Sequence, residues 1–288
     1  TDVLLLLFWP LTLYIFLFQV EKPSIILSIT LGLSLACGFL TKYAMVYFFI
    51  CTLFYLLIEK EFFRHFINNI KYYILVILVF LLGISPNIYW NIHNDWVTLA
   101  HTANNVSLGF ININFNNFYQ FLISQIFIIG PLFFLTVLVY FKKTFSLTGH
   151  NIFLISYSLP ILLLIFFESL IVRAHGNWAA VSYICLSILF VANIYTIRPN
   201  IILFNNIINL LTGFVFFYLI LTSSNIKVFN QLYGYEDFSK KIESKGLEIQ
   251  TKNIVIQERM IFALLSYHLK NTHFTLYTPL APDIPVSH

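Results

Sequence analysis

The chain is dominated by apolar runs of a length that bilayers select. Eight such runs are read at 3–20, 24–41, 43–58, 72–90, 119–141, 151–168, 178–196 and 200–222. A hydrocarbon core about 30 Å thick needs about 20 apolar helical residues to cross it. The run from 24 to 58 is too long for one crossing: 35 residues at about 1.5 Å each would exceed 50 Å. Two spans, or a span and a re-entrant segment, fit it better, with the break at Thr41-Lys42-Tyr43. Composition agrees, since 59% of the 288 residues are hydrophobic and only 10% charged, against about 25% charged in soluble domains. A soluble fold could not bury that apolar surface. The reading is an all-α multi-pass membrane protein over 1–222.

Alternating sides along these runs puts Lys22, Lys60, Arg64, Lys71, Lys142, Lys143 and Arg198 on one face. The other face holds only Lys42 and Arg173. Positive connections stay in the cytoplasm, so the long loop 91–118 and everything after 222 are expected outside, across an inner (plasma) membrane. The basic residues sit at membrane edges, which is a topology signal and gives no support to nucleic-acid binding. Cys37, Cys51 and Cys185 all fall inside apolar runs and read as small core residues. No disulfide set or metal site is expected of them.

Residues 223–288 differ. Charges return at Glu236, Asp237, Lys240, Lys241, Glu243 and Lys245. Asn253–Ile256 and Phe274–Tyr277 read as strands, and 257–270 has helical periodicity. A small extracytoplasmic α/β appendage is expected here, incomplete at His288. The chain opens at Thr1 with no leader before its first run, and is expected to be a piece of something longer.

Polar residues at membrane depth or at external helix ends are the informative ones. Lys42 stands on the face poor in cations with no acidic neighbour in sequence. Either it snorkels to anchor a helix end or it meets a phosphate. The turn Arg173-Ala174-His175-Gly176-Asn177-Trp178 joins a fixed cation, an imidazole, an amide and an indole between two spans. It is either an interfacial turn with a belt tryptophan or a head-group grip by Arg173 beside a sugar pocket lined by Asn177 and Trp178. The loop beginning at Pro86 and running through Trp90, Asn91, His93, Asn94, Asp95 and Trp96 to His101 offers aromatic faces flanked by amides and carboxylates, which suit sugars, although membrane belts carry Trp and Tyr as well. The spacing of His93 and His101 matches no metal site. Asp2, at the outer end of the first run, is either a solvated cap or a polar partner in a cavity.

Several short motifs then fall in one order. Thr1-Asp2-Val3-Leu4-Leu5 opens a span, followed by Gly32 and Gly38-Phe39-Leu40-Thr41-Lys42-Tyr43. Pro86, Trp90-Asn91, His93-Asn94-Asp95-Trp96 and His101 come next, ahead of Gln125, Gly130-Pro131-Leu132 and Arg173 with Asn177-Trp178-Ala179-Ala180. This order resembles bacterial members of the dolichyl-phosphate-mannose protein mannosyltransferase family, in the branch that includes the aminoarabinose transferases of lipid A. Tyr233-Gly234-Tyr235 and the stretch from Arg259 to Leu269 look like that branch's external domain.

The resemblance implies a GT-C fold with its site on the external face. The donor would be a polyprenyl-phosphate sugar and the acceptor a lipid, glycan or protein hydroxyl. It matches Lys42 to a lysine near the lipid phosphate and Arg173 to a basic residue at the cavity mouth. Asp2, Tyr43, Asn91, His93, Trp96, His101, His175, Asn177 and Trp178 complete the expected substrate-binding set. The family's acidic base would precede Thr1, so no catalytic residue is expected in this chain, and the chain alone is expected to be inactive. A separately encoded amino-terminal segment is a candidate partner, and a divalent metal is left to that segment. No other cofactor is implied. The rival reading is a transporter or flippase for a lipid-linked substrate, but neither internal repeats nor mid-membrane helix breaks stand out, as transporters usually show.

Overall fold

The computed structural model describes residues 2–99, 113–147, 149–172, 174–195, 198–222 and 234–279, without the side chains of Lys143, Thr144 and Arg259. Contacts divide the chain into two compact units, at Asn209 and Leu210.

The first unit is a helical bundle. Its elements are α1 (Asp2–Glu21), α2 (Ile25–Thr41), α3 (Tyr47–Ile58), α4 (Lys60–Asn68), α5 (Ile70–His93), α6 (Phe115–Ile129), α7 (Pro131–Val139), α8 (Phe141–Thr144), α9 (His150–Ser156), α10 (Leu159–Ile171) and α11 (Ser182–Tyr195). The helix α12 (Pro199–Thr222) follows and carries the chain across the division. Among the described residues four stretches are long and apolar enough to cross a membrane: Asp2–Glu21, Ile70–His93, His150–Ile171 and Pro199–Thr222. The number rises to six if each of two bent pairs, at α3–α4 and α6–α7, is one span. The chain is a multi-pass membrane protein.

α1 and α2 form an antiparallel hairpin. α1 buries Leu5, Trp9, Thr12, Leu13, Phe16 and Gln19, a stripe with the three-to-four-residue spacing of one helix face. Hydrogen bonds cross the hairpin from Gln19 Nε2 to Ser28 Oγ at 3.0 Å and between Thr12 Oγ1 and Ser34 Oγ at 2.7 Å. Such polar pairs hold helices together where lipid offers no hydrophobic drive. α2 then packs on α5 through small residues. A Cβ on Gly32 would lie 2.7 Å from Val79 Cβ, and one on Gly83 would lie 2.6 Å from Ala36 Cβ. Trp9, Phe16, Phe48 and Tyr157 fill the centre, and the Tyr157 hydroxyl is satisfied by Thr52 Oγ1 at 2.7 Å.

The 24–58 run does break at Lys42, whose backbone is extended between α2 and a 3₁₀ turn at Tyr43–Val46. Three other features depart from the sequence reading. The connection 59–71 contains a helix, α4. The apolar run 119–141 is bent by 100° between α6 and α7, because Gly130 adopts φ 101° and Pro131 has no N–H to continue the ladder. Pro86 lies inside α5 and does not open a loop. It too lacks an N–H, and Ser85 Oγ donates to the Leu82 carbonyl at 2.7 Å, so that acceptor stays satisfied. The external loop expected from 91 therefore starts after His93.

In the second unit, α13 (Tyr235–Glu248) precedes β1 (Asn253–Val255), α14 (Arg259–His268) and β2 (Thr275–Tyr277). β1 and β2 pair in parallel with Asn253 opposite Thr275. Ile256, Leu265 and Leu269 form the buried centre of this unit.

Candidate functional site

The hairpin returns the end of α2 to the start of α1, and this places Lys42 beside Asp2. Lys42 Nζ donates to Asp2 Oδ1 in an ion pair. The other carboxylate oxygen, Oδ2, accepts from Asn177 Nδ2 at 2.7 Å. Three side chains from three distant parts of the chain thus meet at one carboxylate, and both its oxygens are used. The side chains of Lys42 and Asp2 remain 26% and 37% exposed, so the group is reachable from outside the protein. The acidic partner that Lys42 lacks in sequence is supplied by the fold.

Asn177 is held there by its own turn. Residues Gly176–Ala179 form a 3₁₀ turn after His175, with Trp178 N donating to the His175 carbonyl at 3.0 Å. Gln125 of α6 is buried and donates from Nε2 to the Gly176 carbonyl at 3.1 Å. Its Oε1 accepts from the Tyr183 hydroxyl, so one carboxamide ties α6, the turn and α11 together. A side chain at Gly176 would meet Ser124 Oγ at 2.8 Å, which is why the turn can sit so close to α6 only with glycine. His175 is exposed with its ring 5.6 Å from that of Trp178, and Trp178 leans on the main core.

Tyr43, next to Lys42, opens a second network. Its hydroxyl bonds Asn87 Oδ1 at 3.1 Å and Thr98 Oγ1 at 3.0 Å. Thr98 in turn donates to Asn91 Oδ1, and Asn91 Nδ2 donates to the Asn87 carbonyl at 2.9 Å. Asn91 is buried at the end of α5, so its amide is structural support for the segment that follows. That segment is bent back sharply. Asp95 and Trp96 take φ values of 51° and 55°, a left-handed conformation costing non-glycine residues about 1–3 kcal/mol each. Trp96 N donates to the Asn91 carbonyl at 2.9 Å, and Trp96 is left 43% exposed.

The expected site residues therefore fall into two groups joined through the Lys42-Tyr43 peptide: Asp2, Lys42 and Asn177 with the His175–Trp178 turn, and Tyr43 with Asn91 and the Trp96 bend. Among the described residues His93 joins neither by a hydrogen bond; its Nδ1 lies 2.9 Å from the Tyr89 carbonyl and its ring is tilted by 41° against that of Tyr89, 4.2 Å away. His101, Arg173 and Tyr233 lie outside the described residues. Among the described residues no three His, Cys, Asp or Glu side chains come together as a metal site. Thr98, Ser124 and Tyr183 were missed from sequence. They are single hydroxyls within apolar or mixed runs, and only the fold reveals their partners.

Beside the carboxylate cluster runs a groove of about 490 Å³, lined among others by Leu6, Ala180, Tyr183, Phe190, Asn205 and Asn209. Leu6 follows Asp2 by one helical turn and Ala180 follows Asn177 by three residues. One end of this mostly apolar groove thus lies within about 6 Å of helix rise from the polar cluster.

Residues 1–90 match the family described as dolichyl-phosphate-mannose-protein mannosyltransferase. Over its full length the chain is 26% identical, across 296 aligned residues, to the lipid A galacturonosyltransferase RgtD of Rhizobium johnstonii. It spans 62% of that relative's length. No solved structure matches it. With the bundle of apolar helices, these two likenesses make the chain similar to glycosyltransferases that are embedded in a membrane.

Proposed function

We propose that this chain carries the donor-phosphate end of a glycosyltransferase that moves a sugar from a polyprenyl-phosphate to an acceptor hydroxyl at the external membrane face. The observation behind this reading is the meeting of Lys42, Asp2 and Asn177 beside an apolar groove. An ammonium has three donors. Asp2 takes one and fixes the lysine's direction, leaving two for phosphate oxygens. As the acceptor oxygen bonds to the anomeric carbon, the bond from that carbon to the phosphate oxygen breaks and the electron pair leaves with the phosphate. Lys42, and Arg173 by sequence, would stabilise that charge. An acidic base would take the acceptor proton. Trp96, His175, Asn177 and Trp178 would line the sugar pocket, and the groove toward Asn205 would take lipid chain.

The name of the relative favours a glycolipid acceptor of the lipid A type and a uronic sugar. Eight crossings, with α3 alone, the pair α6–α7 and the shorter helices α2 and α11 counted among them, fit the cation bias. In that topology loop 91–118 and an α/β domain after 222 are external to an inner membrane. The transporter reading is not favoured, since both likenesses are to transferases.

The test is transfer by the reconstituted enzyme that contains this chain, with a polyprenyl-phosphate-sugar donor. Losing one charge-assisted hydrogen bond costs about 1.5–3 kcal/mol, so Lys42→Gln and Arg173→Gln should each lower transfer about 10–150-fold. Arg173→Lys should recover part of it, because lysine keeps the charge and loses the planar fork. Lys143→Gln should leave transfer intact. Equal effects of Lys42→Gln and Lys143→Gln would reduce Lys42 to a membrane anchor.

A further inference from the structure

The α3–α4 corner carries a feature that sugar transfer does not use. Glu59 is extended, its carboxylate accepts from Glu61 N at 3.2 Å, and α4 departs from the direction of α3 by 110°. Where α3 crosses a bilayer, a turn of that size would take α4 off its path and toward the interface. One side of α4 is anchored inward. Phe62 is buried, with its ring 4.4 Å from Tyr55 and 5.7 Å from Phe16.

The other side is different. Lys60 and Arg64 are four residues apart, hence on one helix face. Both are exposed, and Phe63 and Ile67 beside them are 51% and 52% exposed. A groove of about 460 Å³ is lined by Leu56, Leu57, Lys60, Phe63 and Arg64. Its wall is thus apolar on the α3 side and doubly cationic on the α4 side. Among the described residues the ion pairs are Lys42–Asp2, Lys240–Glu236 and Lys245–Glu248. Neither Lys60 nor Arg64 is bridged to Glu59 or Glu61.

We propose that this corner is a binding site for one anionic phospholipid, its phosphate held by Lys60 and Arg64 and an acyl chain laid along Leu56 and Leu57. Two cations with no acid bridged to them select a negative head group. The contiguous leucines select a molecule whose apolar part is joined to that head group. A free phosphate would use only half of the lining. The site is independent of the sugar-transfer reading and needs only that α3 lie in the bilayer.

The test is lipid retention by the protein released from nanodiscs of phosphatidylcholine containing increasing phosphatidylglycerol, read by native mass spectrometry. The wild type should keep one phosphatidylglycerol saturably. At about 1 kcal/mol per interfacial cation, Lys60→Gln with Arg64→Gln should shift half-occupancy by about 30-fold. The pair Lys22→Gln with Lys71→Gln, equal in charge, should shift it little. Arg64→Lys keeps the charge at an exposed position and should retain the lipid, which guards against misfolding of the double variant. Soluble glycerophosphoglycerol should fail to displace the lipid. Equal shifts in the two double variants, no preference for phosphatidylglycerol in the wild type, or displacement by the chain-free head group would each overturn the proposal.

Discussion

Asn177 donates its amide to Asp2 across 2.7 Å although 175 residues separate them in sequence. The bond closes the bundle between its first helix and the turn that enters α11, on the carboxylate that also receives Lys42. If the three act as a unit, their contributions to stability should not add. Asp2→Asn and Asn177→Ala should each cost about 1 kcal/mol, between an exposed and a buried polar contact. The double variant should cost less than the sum, with a coupling of at least about 0.5 kcal/mol. Denaturation of the detergent-solubilised protein measures this, and strict additivity would mean the bond does not form in solution.

The α2–α5 contact rests on absent side chains. Gly32 faces Val79 Cβ and the Val76 carbonyl at 2.7–2.8 Å from where a Cβ would stand. Gly32→Val should force the two helices apart and cost several kcal/mol, in the range of overpacked cores or above. Gly213→Ala is the counterpart: nothing lies within 4 Å of that position, and alanine favours a helix by about 0.5–1 kcal/mol over glycine. Thermal unfolding should fall for the first and hold or rise for the second.

Gly130 carries a different constraint, a backbone φ of 101° with the Asn209 carboxamide packed against its Cα. Gly130→Ala should therefore lose stability twice, through strain of about 1–3 kcal/mol and through displacement of Asn209. Adding Asn209→Ala should relieve the second part alone. A full rescue by Asn209→Ala would show that the backbone angle is not what requires glycine.

Helix positions were legible because apolar length is a one-dimensional property. The break at Lys42 followed from counting residues against bilayer thickness, and α2 ends at Thr41. The bend at Gly130-Pro131 was missed although both residues were in view, since an uninterrupted apolar run outweighed the turn pair that it contained. α4 was missed for the opposite reason, because its charges and its nine-residue length read as a connection. Within the site, residue types were enough to nominate Lys42, Asp2 and Asn177 separately. Their meeting depends on the α1–α2 hairpin and on Gln125 holding the turn, relations that no local pattern contains. Trp96 was nominated for its indole, but its left-handed backbone is set by the carbonyl of Asn91 and has no sequence signal.

The orientation deduced from cation bias yields the last prediction. Lys22, Lys60, Arg64 and Lys71 would face the cytoplasm, and the Asp2 cluster and the second unit would face outward. Cysteine probes need exposed positions, so Ser244 on α13 and Asn68 at the end of α4 serve, both exposed in the structure. Cys37, the exposed native thiol, is replaced by Ala, while Cys51 and Cys185 are buried. An impermeant maleimide added to intact cells should label Ser244→Cys and spare Asn68→Cys until the membrane is opened. Labelling of Asn68→Cys alone would invert the protein, and would move the Lys42–Asp2–Asn177 cluster to the cytoplasmic face, where an external transferase site could not be. Labelling of both in intact cells would mean an odd change in the number of crossings between α4 and α13, and the bent pair α6–α7 would then be the segment to re-examine as a re-entrant loop.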